Sequence, residues 1–410
     1  MIRDTDSVTT SSRLSDTSEQ LPVIGIVGAG AMGAGIAFVA ARRGHHVVLA
    51  DAAVAALDRA RGEHGRSFDR DVEKERLTRE QADLLQSHVS YVDAARLDGF
   101  SGCGVVIEAI VEQVEIKRSL FRQLEAHVGA DTILASNTSS LSIAAISSAC
   151  RNPERVVGIH FFNPAAVMPL VEIIPSLSTA DDVTSTARAL VDSWGKTTVV
   201  ASDTPGFIVN RIARPFYGES LRIYEEGIAD FATIDWAMRE LAGFRMGPFE
   251  LMDFIGNDVN YAVTASVFEA MFFDPRYRPS QTQRRLVEAG LLGRKSGRGY
   301  YEYRDGVAKR EPLRDEMAGR AVVDRILAML VNEAADALMM RVASARDIEL
   351  AMVKGVNYPK GLLSWGDEIG ASVVLQRLDA LYDEYREDRY RASPLLRRVA
   401  GGTGPGTLLP

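Results

Sequence analysis

The run Gly28-Ala-Gly-Ala-Met-Gly33 constrains the fold more than any other segment of this 410-residue chain. An apolar stretch at 21–27 precedes it, and a stretch of small apolar residues at 31–43 follows it, which predicts a strand, a tight turn and a helix. Gly28 permits the turn, Gly30 lets the backbone approach a pyrophosphate, and Gly33 lets the helix pack on the sheet. The free amides at the helix start complete a predicted dinucleotide site.

A second predicted strand, 46–50, is closed by Asp51, whose carboxylate can bind ribose hydroxyls. The same carboxylate would repel a ribose phosphate, so the sequence favours NAD over NADP. Further apolar runs predict strands at 105–107, 132–136, 156–160 and 171–174, alternating with helices. This alternation predicts an α/β Rossmann-type doubly wound parallel sheet.

A charged stretch, 52–85, interrupts the alternation of strands and helices. Thr78 is followed three positions later by Gln81, the spacing of a capping box, which predicts a helical hairpin inserted into the sheet domain.

The chain beyond Thr204 has long helical patterns that repeat at an offset of 114 residues. Arg211 then aligns with Arg325, and Glu219 with Glu333. The sheet is therefore expected to be followed by two repeated all-α domains. The predicted units are a tail at 1–20, the sheet domain at 21–202, a first helical domain at 203–303, a linker at 304–319, a second helical domain at 320–400 and a tail at 401–410. Asn210 aligns with Asp324, so only the first copy is expected to contribute an amide to a site, and the second to cover the first or mediate dimer contacts.

Composition excludes several classes of protein. The net charge of −8, with Lys and Arg scattered, argues against nucleic-acid binding. Two cysteines, Cys103 and Cys150, form neither a disulfide framework nor a zinc pattern, so we expect no metal site and a reducing cytoplasm. No apolar run has the length of a membrane span, and residues 1–20 have no secretory core. Both tails are expected to be disordered.

Polar residues follow the predicted strands, where ligands of this fold bind. Glu112 precedes a helix that contains Lys117, and the polar loop Ser136-Asn-Thr-Ser-Ser140 closes another strand. The first pair could equally form an exposed helical ion pair, and the loop could simply cap a helix.

His160, one of six histidines, closes a later strand, and Glu172 follows in the adjoining segment. A carboxylate on one ring nitrogen fixes the tautomer of a histidine and stabilises the imidazolium that forms when the other nitrogen takes a proton. The spacing of twelve is neither a helical nor a strand relationship, so the sequence does not prove that the two side chains touch.

Taken together, these segments resemble the 3-hydroxyacyl-CoA dehydrogenase family. The motifs that carry the resemblance are the glycine loop, Glu108-Ala-Ile-Val-Glu112, Ser136-Asn-Thr-Ser-Ser140, His160-Phe-Phe-Asn-Pro164, Asp203-Thr-Pro-Gly-Phe-Ile-Val-Asn210, Gly247-Pro-Phe-Glu-Leu-Met-Asp253 and Gly293-Arg-Lys-Ser-Gly-Arg-Gly-Tyr300. The second helical copy, with Asn357-Tyr-Pro-Lys-Gly361, resembles that of extended bacterial members.

The resemblance implies a role for each matching residue. It makes His160 the catalytic base, Glu172 its orienting partner, and Ser139 and Asn210 the groups that hold the substrate oxygen. The residues implied to contact NAD are Gly28, Gly30, Gly33, Asp51, Glu112, Lys117, Asn163 and Lys295. Those implied to contact the acyl-CoA substrate are Ser67, Lys74, Ser139 and Asn210.

The implied reaction is NAD-dependent, reversible oxidation of (S)-3-hydroxyacyl-CoA, in fatty-acid or phenylacetate-type catabolism, by a cytoplasmic homodimer. Two alternatives remain: a beta-hydroxyacid dehydrogenase that takes a free acid, and a non-catalytic NAD-binding module. The sequence does not separate 3-hydroxybutyryl-CoA from 3-hydroxyadipyl-CoA, because the terminal carboxylate of an adipyl chain requires a cation that no sequence pattern identifies.

Overall fold

A computed structural model describes residues 21–409, and eight of its segments form one sheet. In chain order the strands are β1 Val23–Val27, β2 Val47–Asp51, β3 Val89–Asp93, β4 Cys103–Glu108, β5 Ile133–Ser136, β6 Val156–Phe161, β7 Leu170–Pro175 and β8 Thr197–Val200. Their spatial order is β3-β2-β1-β4-β5-β6-β7-β8. The predicted Rossmann-type sheet is confirmed.

One pair of neighbouring strands departs from the predicted parallel arrangement. Strand β7 runs antiparallel to β6, and the other pairs are parallel. Only residues 162–169 connect β6 to β7. A parallel connection needs a crossover of a dozen or more residues, so this short segment forces the chain to return antiparallel.

Helices cover both faces of the sheet. They are α1 Ala31–Arg42, α2 Val54–Glu73, α3 Arg79–Ser87, α4 Val114–His127, α5 Ile143–Ser147 and α6 Asp181–Ser193. Helices α2 and α3 form a hairpin in the stretch where the charge pattern predicts one. The capping box at Thr78 is present, since its side chain accepts from the Gln81 amide and the Gln81 side chain accepts from the Thr78 amide.

Most of the described chain after β8 is helical. The helices are α7 Val209–Ile212, α8 Arg214–Glu225, α9 Phe231–Trp236, α10 Pro248–Ile255, α11 Asn257–Ala270, α12 Gln281–Glu288, α13 Glu316–Met339, α14 Ala345–Gly355, α15 Leu362–Ile369, α16 Ala371–Tyr385 and α17 Pro394–Ala400. The largely buried α13 lies at the centre and packs against α8, α15, α16 and α17. It begins at Glu316, inside the predicted linker 304–319, because the Asp315 side chain caps the first turn by accepting from the Met317 and Ala318 amides.

Equivalent positions of the two helical copies make equivalent contacts. Asp235 accepts hydrogen bonds from two amides in the first turn of α10, both at 2.9 Å. Glu349, 114 residues later, accepts from the corresponding amides of α15 at 2.8 and 3.2 Å. Gly256 and Gly370, which precede the next helix of each copy, have φ angles of 104° and 92°. Residues that lie 114 positions apart therefore make the same hydrogen bonds and adopt the same backbone conformation in the two copies.

The glycine-rich C-terminal end differs from the disordered tail predicted at 401–410. Leu408 is buried, and the amides of Leu408 and Leu409 donate to the Asp367 carboxylate at 2.7 and 2.9 Å. An apolar anchor and a partly buried carboxylate acceptor hold this end against the second copy. The tail predicted at 1–20 lies outside the described residues. Between residues 21 and 409, no helix combines the length and the apolar character needed to cross a membrane.

Candidate active site

The glycine loop between β1 and α1 has a conformation that other residues would disturb. Gly28 has a φ of 106°, and a Cβ there would lie 2.5 Å from the carbonyl oxygen of Ala109. A Cβ on Gly33 would overlap the carbonyl of Gly28, whereas one on Gly30 would meet open space. Gly28 and Gly33 therefore allow close packing, and Gly30 borders the space that a pyrophosphate needs. The loop fits a dinucleotide.

Asp51 ties the end of β2 to this loop. One carboxylate oxygen accepts from the Ala29 amide at 2.7 Å, and the other accepts from the Ala53 amide at 2.8 Å. Each carboxylate oxygen retains a lone pair after these bonds, so the group can still accept from ribose hydroxyls.

Lys117 is buried between two carboxylates, so it does not form the exposed ion pair considered from its spacing. Its Nζ lies 2.6 Å from Glu108 and 3.1 Å from Glu112. Glu112 also accepts from the Thr138 hydroxyl at 2.5 Å and the Ser139 amide at 3.0 Å. Burial opposes ionisation of Glu112, but the Lys117 charge and these donors hold its pKa below the ordinary value. The cluster fixes the polar loop after β5 against the end of β4.

His160 and Glu172 face each other directly across the antiparallel strands β6 and β7. His160 Nδ1 lies 2.7 Å from Glu172 Oε2, and both side chains are buried. The other oxygen of Glu172 accepts from the amides of Ile208 and Val209 at 3.1 and 2.9 Å. The carboxylate is thus fixed on both sides, and Nδ1 is the imidazole nitrogen that it orients.

The remaining imidazole nitrogen opens onto a cavity of about 550 Å³ between the sheet and the helices. Ser139 and Asn210 line this cavity beside His160, and the Asn210 amide donates to the Ser139 carbonyl at 3.4 Å. Within residues 21–409, His160 Nε2 and the Ser139 hydroxyl form no hydrogen bond, so both can receive a ligand. Glu112, Lys117 and Asn163 line the same cavity.

The second helical copy also contributes to this cavity. Gly355, Val356 and Asn357, at the end of α14, form part of its wall together with apolar side chains of α10 and α11. The sequence indicated a covering role for this copy, and the structure adds that it lines the cavity directly.

Ser67 and Lys74 lie in a separate cleft of about 350 Å³. The segment between β6 and β7 borders both spaces, because Met168 lines the cavity while Val167 and Pro169 line the cleft. Cationic side chains dominate the cleft, namely Arg42, Arg43, Arg70, Lys74, Arg76 and Lys196. Burial, together with the neighbouring charge of Arg43, lowers the pKa of Lys196 to about 8.

Lys295 is placed differently from the other candidate residues. Its ammonium lies 2.6 Å from Asp258, and its side chain is partly exposed beside Gly256 rather than in the cavity wall.

Three residues of the site were not singled out from the sequence. Glu108 holds Lys117, the side-chain oxygen of Asn137 accepts from the Phe161 amide at 2.9 Å, and Arg214 lines the cavity. The first two stand at the ends of strands, a signal that the sequence offers. Arg214 has no such signal, because an arginine in a helix is usually a surface residue.

Comparison with known proteins gives a consistent result. A family profile described as "3-hydroxyacyl-CoA dehydrogenase, NAD binding domain" matches residues 23–204. A second, "3-hydroxyacyl-CoA dehydrogenase, C-terminal domain", matches twice, at 206–303 and 322–404.

Individual relatives agree with these profiles. The chain is 39% identical to 3-hydroxyadipyl-CoA dehydrogenase of Escherichia coli K12, over 92% of this chain and 97% of that protein. It is 38% identical to the human mitochondrial hydroxyacyl-coenzyme A dehydrogenase, over 73% of this chain and 97% of that one. The crystal structure of 3-hydroxybutyryl-CoA dehydrogenase from E. coli K12 superposes with a TM-score of 0.86 at 36% identity, covering 94% of this chain and 99% of the other.

Proposed function

Since the chain belongs to the 3-hydroxyacyl-CoA dehydrogenase family, we propose that it oxidises (S)-3-hydroxyacyl-CoA reversibly to 3-oxoacyl-CoA, with His160 as the general base. The observation that carries this proposal is the buried contact of 2.7 Å between His160 and Glu172, with the second ring nitrogen facing the cavity. An alcohol oxidation requires a base for the hydroxyl proton, and this arrangement supplies one.

His160 Nε2 removes the proton from the 3-hydroxyl group. Glu172 keeps the proton of the neutral imidazole on Nδ1, so Nε2 has a free lone pair. When Nε2 is protonated, the carboxylate beside Nδ1 stabilises the imidazolium. Because the Ile208 and Val209 amides hold Glu172, the carboxylate does not reorganise during the step.

Ser139 and Asn210 hold the oxygen that becomes the ketone. Both line the cavity beside His160, and both carry a donor that can bond to this oxygen as its charge changes. Bound NAD would supply the acceptor for the hydride that leaves the 3-carbon. Gly28, Gly30, Gly33, Asp51, Glu112, Lys117, Asn163 and Lys295 are the residues that we assign to NAD contacts.

The coenzyme A part of the substrate is assigned to the cationic cleft. Ser67 and Lys74 lie there among four arginines, a charge arrangement suited to phosphate groups. Because residues of the segment 162–169 border both spaces, we assign the acyl end of a substrate held in the cleft to the cavity of His160. 3-Hydroxybutyryl-CoA and 3-hydroxyadipyl-CoA are the candidate substrates, in fatty-acid or phenylacetate-type catabolism.

The general-base assignment is tested by His160→Gln. We expect turnover of acetoacetyl-CoA with NADH to fall about a hundred- to ten-thousandfold, because positioned base catalysis is lost. NADH affinity, measured by fluorescence titration, should stay close to that of the wild type. His127→Gln is the matched control, because His127 lies exposed at the end of α4. An active His160→Gln enzyme would refute the assignment, and wild-type turnover of the free hydroxy acid rather than the thioester would favour the beta-hydroxyacid alternative.

We also propose that the protein acts as a homodimer in the cytoplasm. Phe272 and Phe273 are 94% and 63% exposed at the end of α11, which gives an apolar surface for a second chain. Free Cys103 and Cys150 suit a reducing compartment. Light scattering measures the mass of the wild type and of Phe272→Ser. A dimer mass for the wild type and a monomer mass for the variant would support the assembly.

A further inference from the structure

Arg214 differs from the other buried arginines of the described chain. Seven arginines between residues 21 and 409 are buried, and six of them have a carboxylate within 4.0 Å, as expected for charges removed from water. Arg214, which is 6% exposed, has none. It donates to the Thr264 hydroxyl at 2.9 Å and lies over the Tyr217 ring at 4.9 Å, while its Nε has no hydrogen-bond partner.

This unpaired cation lines the cavity that contains His160. The other cation of the cavity wall, Lys117, is already bonded to Glu108 and Glu112. A guanidinium stays charged in proteins. Burial lowers the pKa of Arg214, which reflects the cost of a charge with no anion beside it. A ligand that carries an anionic group could supply the missing partner of Arg214.

The location of Arg214 relative to the reaction centre indicates which part of the ligand it meets. All four of Asn210, Ala213, Arg214 and Tyr217 line the cavity. Asn210 lies in α7 and Arg214 begins α8, and Ala213 joins the two helices in a helical backbone conformation. Arg214 is therefore one turn, about 5 Å along the axis, beyond Asn210. Apolar side chains of α10 and α11, among them Leu251, Phe254 and Val263, line the same space, which suits methylene groups between the two ends.

We propose that Arg214 binds a carboxylate at the far end of the acyl chain, so that the substrate class is the mono-CoA thioester of a 3-hydroxy dicarboxylic acid. The inference rests on the proposed function for the position of the 3-hydroxyl group at His160. A planar guanidinium matches a carboxylate with two parallel hydrogen bonds, and the apolar surroundings strengthen the ion pair.

The test compares two substrates of equal chain length, 3-oxoadipyl-CoA and 3-oxohexanoyl-CoA, reduced with NADH. We expect kcat/KM of the wild type to favour the carboxylate substrate by about ten- to a hundredfold. Arg214→Met should remove this preference, and Arg214→Lys, which keeps the charge but not the planar fork, should retain part of it. Arg245→Met is the matched control, because Arg245 is an exposed arginine next to the cavity and its loss should leave the ratio unchanged.

Binding of adipyl-CoA and hexanoyl-CoA, which lack the reacting oxygen, gives a readout that does not depend on turnover. The wild type should bind adipyl-CoA more tightly, and Arg214→Met should bind the two thioesters equally. If Arg214→Met keeps the wild-type preference between the two substrates, or loses the same factor with both acyl chains, the inference is overturned and the proposed function stands. A wild type that binds adipyl-CoA preferentially but reduces neither oxoacyl-CoA would instead contradict the proposed function.

Discussion

Glu172 is the residue on which the geometry of His160 depends. One of its oxygens contacts the imidazole and the other accepts two backbone amides, so the carboxylate has no freedom to turn away. The two sets of contacts link β6, β7 and the start of α7. A single buried side chain therefore joins the sheet to the first helical copy at the point where catalysis is proposed.

Glu172→Gln separates this role from simple packing. The amide has the same size, but it removes the charge that stabilises the imidazolium and can present a donor to Nδ1, which favours the wrong tautomer. We expect kcat to fall on the order of a thousandfold while the affinity for NADH stays unchanged. The measurement is steady-state turnover together with NADH titration. A loss of less than threefold would mean that His160 does not depend on this carboxylate.

Two glycines in the turn between β1 and α1 are needed for different reasons, Gly33 for packing and Gly30 for access to the cofactor. Gly33→Ala would force a Cβ against the Gly28 carbonyl and push α1 away from the sheet. We therefore expect the free energy of unfolding to fall by about 1–3 kcal/mol and NADH binding to be lost. A Cβ on Gly30 meets open space, so Gly30→Ala should keep the melting temperature and weaken NADH binding alone. Thermal unfolding and NADH titration of both variants check this, and equal melting temperatures would contradict it.

The elements missed from the sequence share a physical cause. Strands β3 and β8 lie at the two edges of the sheet. Strand β3 is only partly buried and β8 has only four residues. Neither strand therefore shows the continuous apolar run of a central strand. The central strands and the glycine loop were predictable because burial on both faces and a special backbone leave clear patterns. The spacing of His160 and Glu172 did not predict their contact, because the contact depends on the reversal of β7, and only the family resemblance implied it. The presence of Arg214 in the site was not predictable, because only its lack of a carboxylate partner distinguishes it.

The two helical copies contact each other through two equivalent ion pairs. Arg211 of the first copy lies 2.7 Å from Glu333 of the second, and Arg325 of the second lies 2.6 Å from Glu219 of the first. These are the residues that align at the offset of 114, so each copy presents the same arginine and the same glutamate to the other. Such an exchange is the pattern of a two-fold interface, here within one chain.

The reciprocal pairs make the assembly of the copies sensitive to acid. Burial opposes ionisation of Glu219 and Glu333, but the arginines around each carboxylate lower its pKa below the ordinary value of 4.5. A lowered pKa in the folded state means that the stabilisation is complete above the unfolded-state pKa and is lost as the pH falls through the folded-state pKa. The free energy of unfolding should therefore decrease as the pH falls below 4.5.

Glu333→Gln tests this linkage, because the amide cannot titrate and leaves Asp336 as the carboxylate that the buried Arg211 and Arg276 both still contact. We expect the free energy of unfolding at pH 7 to fall by about 1–3 kcal/mol, because one charged hydrogen-bond partner is lost. Stability should also decrease less steeply with acid than in the wild type. Urea unfolding at a series of pH values measures both. Glu316→Gln, on the exposed first turn of α13, should leave both quantities unchanged. If the acid dependence of Glu333→Gln equals that of the wild type, the interface between the copies is not the acid-sensitive element.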